Sequence, residues 1–286
     1  MKRVCIIAWE KDKAGMNIVE KLSSLVDMEV EKYNLRIGNT EVKKRYVGNS
    51  VDIFIVDTDT VFLEDIDPLI SEYELIIFAS RHESRSRRPM LSIHVPGNLS
   101  DEAKLGGKPW RVCYAHGAYM MSVFKIMYSE YLSSRLSEMR WDCCYEATHH
   151  GPYIRERPVF YIEIGSSESE WVNQEASEII SYALVKGLAK DVDNVSFVGI
   201  SGLHYASVLS RKCFERDIPL GHIIPRYIFE ELKTKDRIKR VLDEVVKKSI
   251  GFSGFVLEKK ALKAREKRIL IEILEENYRE MLTIRV

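Results

Sequence analysis

Lys2-Arg3-Val4-Cys5-Ile6-Ile7-Ala8 opens the chain with a short, β-branched apolar run, and Asp52-Ile53-Phe54-Ile55-Val56-Asp57 repeats the pattern further along. Each has the length and composition of a buried strand. Between them Asn17 to Leu25 carries apolar residues at helical spacing, and Glu74 to Ala79 is a third apolar run. Strands alternating with helices in this way are the signature of a parallel sheet, so the fold class is read as α/β. Trp9, Glu10, Lys11 and Asp12 stand where a secretion signal would carry small residues, which makes the first run a strand and not a signal peptide.

The pattern continues outward. Met90 to Val95 is strand-like and ends in Pro96, Gly97 and Asn98, and Ala118 to Arg140 has the periodicity of one long amphipathic helix. Val159 to Ile164 is another strand. Ser167 and Glu170 then have the spacing of a capping box, which opens a helix from about Glu168 to Lys190. Val195 to Ile200 is the next strand, and Ile218 to Ile224 is an apolar run interrupted by Pro219 and Gly221. Tyr227 to Ser249 and Leu257 to Leu282 read as basic helices. A chain of 286 residues suits one large body or a main domain with a smaller second subdomain. The loop Asn98 to Lys108, with Gly106 and Gly107, is the expected divide, giving an N-terminal α/β part (1–100) and a C-terminal α/β part (101–286) that ends in the basic helices.

Composition narrows the function. No apolar stretch approaches the roughly 20 residues that span a bilayer, so a membrane protein is excluded. Five cysteines, an odd number without a C-x-x-C pair, argue against a disulfide framework and a thiolate zinc knuckle, and place the chain in a reducing compartment, the cytoplasm. Lys plus Arg and Asp plus Glu are 43 each, so a polyanionic partner must be held by local patches. The candidates are Arg81, Arg85, Arg87 and Arg88, then Lys233 to Lys248 and Lys259 to Arg268. Gln174 is the sole glutamine beside abundant Lys, Arg and Glu, a balance found in heat-adapted proteins. There is no G-x-x-x-x-G-K-[ST] and no G-x-G-x-x-G, and a G-x-S-x-G elbow beginning at Gly199 and Ser201 fails at Leu203.

The chemistry-bearing residues gather around strand ends. His82 follows one predicted strand, His94 closes another and His204 lies just past a third, while His149 and His150 precede the strand at Val159. In open α/β sheets the reactive groups collect outside the carboxyl ends of the strands, so these imidazoles are expected to converge. His116, in an apolar Ala and Tyr context, reads as structural. Adjacent residues in extended backbone point to opposite sides, so His149 and His150 are expected to have different roles. Glu146 lies three and four residues before them. Glu163 is a charge inside an apolar strand; it either meets a cation, metal or histidine, or faces solvent from an edge. A His and Glu set suits hydrolysis, either as a general base on water or as ligands of a metal that activates it.

These residues also carry a resemblance. Ser80-Arg81-His82-Glu83-Ser84, His94-Val95-Pro96-Gly97-Asn98, Glu146-Ala147-Thr148-His149-His150-Gly151-Pro152, Phe160 to Ser166 with Glu170 and Trp171, His204-Tyr205 and Gly221-His222 together resemble the archaeal and plant type of D-aminoacyl-tRNA deacylase. The resemblance implies hydrolysis of the ester between a D-amino acid and the 3′ end of tRNA, with zinc as cofactor. It implies an α/β/α fold of the phosphorylase and peptidyl-tRNA hydrolase kind, with a mostly parallel or mixed sheet.

On that basis His149, His150, Glu163 and His82 are expected to carry the chemistry. Arg81, Arg85, Arg87, Arg88, Thr148 and Tyr205 are expected to bind the charged tRNA, and His94, Glu146, His204 and His222 to ligate the metal. No protein partner is evident, and a monomer or homodimer is expected. The competing expectations are a phosphorylase or nucleosidase-like enzyme acting on a small molecule, and a non-enzymatic RNA-binding protein.

Overall fold

The computed structural model describes residues 3–84 and 86–286; Met1, Lys2 and Arg85, and with them the first residue of the opening strand and one of the four arginines, lie outside the described residues. The large sheet contains β1 (Val4–Trp9), β2 (Glu29–Ile37), β3 (Thr40–Val47), β4 (Val51–Val56), β5 (Leu75–Glu83), β6 (Met90–His94), β7 (Asp142–Tyr145) and β8 (Val159–Ser166). Their spatial order is β2, β3, β4, β1, β5, β8, β6, β7. The centre, from β4 through β1 and β5 to β8, is parallel; β2 and β3 are antiparallel additions, and β6 runs against β8. A second, wholly parallel sheet contains β9 (Ser196–Ser201), β10 (Leu220–Pro225), β11 (Phe252–Leu257) and β12 (Leu282–Arg285) in the order β10, β9, β11, β12.

The helices are α1 (Lys13–Leu25), α2 (Asp67–Ile70), α3 (Gly117–Ser133), α4 (Arg135–Glu138), α5 (Glu168–Trp171), α6 (Gln174–Leu188), α7 (Ser207–Glu215), α8 (Arg226–Leu232), α9 (Lys235–Lys247) and α10 (Ala264–Asn277). Asp12 caps α1, its carboxylate accepting from the N–H groups of Ala14 and Gly15. The buried stripe Ala14, Ile18, Val19 and Leu22 then packs α1 onto β5 and α6, and α3 packs on α6 and β10. Alternation along the small sheet divides its faces. Phe197 and Ile223 join the main core, whereas Val198, Ile200 and Ile224 join a second core with Ile228, Leu242 and Ile273 from α8, α9 and α10. The small sheet is thus a layer between helices.

The α/β reading holds, with a large mixed sheet. β8 from the C-terminal part lies between β5 and β6 from the N-terminal part, so the large sheet draws strands from both sides of residue 100. Three expected helices are each two. Ser134 ends α3 in extended backbone, Asn173 caps α6 through Ala176 N, and Lys233, in left-handed backbone, ends α8 before Thr234 caps α9. The capping box at Ser167 and Glu170 is present, but the helix it opens is only the four residues of α5. The hairpin of β2 and β3, the short β7, and β11 were not anticipated. Among the described residues no helix is long and apolar enough to cross a membrane, and the five cysteines are free and buried.

Candidate active site

Strand register assembles the first wall of the site. Ser80 on β5 and Ser92 on β6 both pair with Glu163 on β8, and His94 pairs with Tyr161. Side chains two residues apart share a face, so His82, Glu163 and His94 project together. His82 faces Gly165 across the ladder, and a Cβ on that glycine would lie 2.5 Å from the His82 Cβ; glycine makes the room. His82 and His94 each stand at the carboxyl end of their own strand, and because β6 runs opposite to β8 they flank Glu163 from opposite directions.

The second wall is the segment 146–150, strung between the two sheets. Glu146 N donates to Ile93 O, Ala147 N to His204 O, and Thr148 N to Ile223 O. His150 has φ +43°, so the chain turns there, and His149 and His150 line the same cleft with ring centroids 4.2 Å apart, not opposite sides as extended backbone would require. Gly151 lets this turn pass beneath its neighbours, since a Cβ there would lie 2.3 Å from Gly107 N and Val61 O.

The cleft between the walls has a volume of about 440 Å³ and is lined by Arg81, His82, His149, His150, Glu163, His204 and Tyr205, among others. That is the scale of a small-ligand site. Glu146 is fully buried at its back, 3.1 Å from His82 Nδ1 and 3.0 Å from His204 Nε2. Glu163 Oε2 lies 3.5 Å from His82 Nδ1 and 3.7 Å from His94 Nε2.

Electrostatics separates the histidines into two kinds. Burial works against a charge on His82, but Glu146 and then Glu163 outweigh it and push the ring up to about 12. It is an imidazolium, with Nε2–H donating to Tyr205 Oη at 3.0 Å, while that hydroxyl donates to Ser84 at 2.8 Å. Glu146 and Glu163, although burial opposes their charge, are held below the usual carboxylate range, Glu146 mainly by His82 and Glu163 by His82 and His94. His149 and His150 are neutral: burial and then the neighbouring His94 depress both, His150 to about 4. Their Nδ1–H groups donate to Ala147 O at 2.8 Å and Gly151 O at 2.6 Å, which leaves each Nε2 with a lone pair.

The sequence model of the D-aminoacyl-tRNA deacylase family matches residues 69–282. The D-aminoacyl-tRNA deacylase of Pyrococcus abyssi is 37% identical over 237 residues, covering 78% of this chain and 80% of its own length. That of Thermoplasma acidophilum is 30% identical over 281 residues, 98% of this chain and 99% of its own. The chain belongs to the D-aminoacyl-tRNA deacylase family. The crystal structure of a conserved protein of unknown function shares the fold, with a TM-score of 0.80 at 25% identity over 99% of this chain and 95% of that one.

Among the described residues of this family member three donor groups are compact enough to hold one cation: His94 with His149 and His150; Glu146 with His149 and His204; and His82 with Glu146 and Glu163. Two observations fit a metal among the neutral rings. Both nitrogens of His94 are buried without a hydrogen-bond partner, and the lone pair of His149 Nε2 is 3.9 Å from Glu146 Oε2, another acceptor. Imidazole nitrogen and carboxylate oxygen are zinc donors, and the bonds from His149 Nδ1 to Ala147 O and between His204 Nδ1 and Tyr227 Oη are the outer contacts that orient such ligands.

His222 stands apart from the donor groups. It is fully buried on β10, 3.1 Å from Thr148 Oγ1, and burial takes it down to about 3. Thr148 is likewise buried, its hydroxyl also accepting from Ile223 N, so the pair braces the 146–150 segment.

The arginines disperse. Arg81 lines the cleft but is paired with Asp59 at 3.0 Å and Asp12 at 3.4 Å; Arg88 pairs with Asp142 at 3.1 Å, and Arg87 is exposed away from the cleft lining. His116 caps α3 through Tyr119 N. Asp12, Asp59, Tyr227 and Leu105 were not anticipated. An Asp before a helical run is an N-cap signal and could have exposed Asp12; Asp59 and Leu105 lie in loops with no local pattern, and Tyr227 is on α8 with nothing in its helical context to mark it.

Proposed function

We propose that this chain hydrolyses the ester between a D-amino acid and the 3′ end of tRNA. The observation that carries the reading is the partition of charge in one cleft, where an imidazolium, His82, faces neutral imidazoles with free lone pairs. Water attacks the ester carbonyl carbon, and His150 Nε2 takes the water proton as the tetrahedral centre forms. The negative charge that develops on the carbonyl oxygen is stabilised by the fixed positive charge of His82. As the bond to the 3′ oxygen breaks, the weakly basic His150 ring returns its proton to that oxygen. Glu163 and Glu146 hold His82 charged and in place. An aminoacyl ester is already activated, so positioning supplies much of what remains and no covalent nucleophile is required.

Glu146, His149 and His204, with His94 beside them, would hold the zinc ion. When bound, zinc would polarise the carbonyl and bring the pKa of a coordinated water towards about 7. Purified protein should release D-tyrosine from D-tyrosyl-tRNA far faster than L-tyrosine from L-tyrosyl-tRNA, and lose activity to a chelator with recovery on adding zinc. Equal rates for the two hands, or no hydrolysis of either, would overturn the assignment; full activity after complete metal removal would overturn the zinc.

A further inference from the structure

In the small sheet the chain passes from β9 to β10 on one side and then to β11 on the other, so the strand order reverses between β9 and β11. Open parallel sheets bind ligands outside the carboxyl ends of their strands at such a reversal. A cavity of about 530 Å³, separate from the catalytic cleft, opens at this point. Ile200 at the end of β9, Leu257 at the end of β11 and the following Ala261 and Leu262 give it an apolar floor.

Its rim is cationic, with Lys259, Lys260, Lys267 and Arg285. Among the described residues none of these four has an ion-pair partner, in contrast to the adjacent Lys263, which is 2.6 Å from Glu230. The first turn of α10 enters at Ala264, and its N-cap Lys263 makes no side-chain capping bond, so the amide dipoles there also favour an anion. The acid in the lining, Glu258, is occupied: it accepts from Ser201 Oγ at 3.1 Å and from Gly202 N at 3.4 Å. An apolar floor under a ring of cations suits a phosphate with a flat apolar group beside it.

This cavity is coupled to the catalytic cleft by one short loop. Gly202 lies against Ala261, a Cβ there being 3.4 Å from Ala261 Cα, while His204 and Tyr205, two and three residues on, line the cleft. Leu203 between them is 64% exposed. A strand with its terminal ester in the cleft would pass over this loop.

We infer that the cavity at the ends of β9, β11 and β12 is a second contact for the tRNA, holding a phosphate of the single strand that leads to the aminoacylated 3′ end, with the neighbouring base on the apolar floor. The inference rests on the tRNA reading above and adds the place where affinity is generated. The test is filter binding of uncharged tRNA across a salt series, together with hydrolysis of D-tyrosyl-adenosine, which has the ester but no phosphate. In Lys260→Gln/Lys267→Gln, tRNA binding should weaken and its log–log salt slope should fall by about 0.7, the amount for one single-strand phosphate charge no longer neutralised.

Hydrolysis of the adenosine ester should be unchanged, and Lys32→Gln/Lys44→Gln, on the hairpin of β2 and β3, should bind tRNA as the wild type does. Wild-type affinity and slope in the cavity variant would overturn the inference. So would saturable binding of adenosine monophosphate at the cavity with tRNA binding unaltered, which would make it a free-nucleotide site. If the wild type hydrolyses neither ester, the functional reading fails, and the binding comparison still decides the cavity. A wild-type chain that does not bind tRNA overturns both.

Discussion

His82 and His150 line the same cleft and are both largely shielded from water, yet one is driven up to about 12 and the other down to about 4. Burial pushes both rings towards neutrality. His82 escapes because its neighbours are two carboxylates, 3.1 Å and 3.5 Å from Nδ1, whereas His150 has the ring of His94 at 4.9 Å. Burial acts on both rings, and the two carboxylates present beside His82 and not beside His150 reverse its effect, so a cation and a base of the same residue type can stand side by side.

Removing the cation should have the largest effect. His82→Ala leaves Glu146 and Glu163 buried without it, which should cost about 3–5 kcal/mol of stability in denaturant melts as well as activity. Stability within experimental error of wild type would break the contrast at its charged end. His150→Ala should leave the melting curve in place and lower the single-turnover rate on D-tyrosyl-tRNA by about 10²- to 10⁴-fold. Unchanged turnover would remove His150 from the chemistry.

Gly165→Ala crowds the His82 ring, with an expected cost of about 1–3 kcal/mol and a loss of activity larger than that of a surface substitution of equal stability. A neutral result in both would show that His82 does not need the space opposite Gly165.

The smallest effect lies outside the cleft and checks the same rule. Asp52 is buried, which opposes its charge, but Tyr73 and then Arg45 hold it below its ordinary 3.8. Its folded pKa is depressed, so its contribution is present above about pH 3.8 and is lost as pH falls through the folded value. The difference in melting temperature between wild type and Asp52→Asn should therefore shrink on acidification below that point. A pH-independent difference would contradict the assignment.

The parallel centre of the large sheet was legible because β1, β4 and β5 are buried on both faces and so are continuous apolar runs. β2 is mostly exposed, with a pattern diluted by Glu29, Glu31 and Lys32, and only the two-residue turn Gly38-Asn39 marks its hairpin. β11 is interrupted by Ser253 and Gly254 and sits between helical runs.

At the site, Glu163 and the clustered imidazoles could be singled out because a charge in an apolar strand and histidines at strand ends are local signals. The opposite charge states of His82 and His150 could not, since they depend on register between β5 and β8 and on the turn at His150. Nor could the bracing role of His222, which arises from contact between segments distant in sequence.

The contrast between these rings is most directly tested by ¹⁵N resonances of the histidine side chains across pH 5 to 9, assigned with His82→Gln and His150→Gln. The account predicts that His82 remains doubly protonated throughout and His150 remains neutral with its proton on Nδ1. Titration of either ring near its ordinary value of 6.5, or a neutral His82 at pH 7, would contradict it.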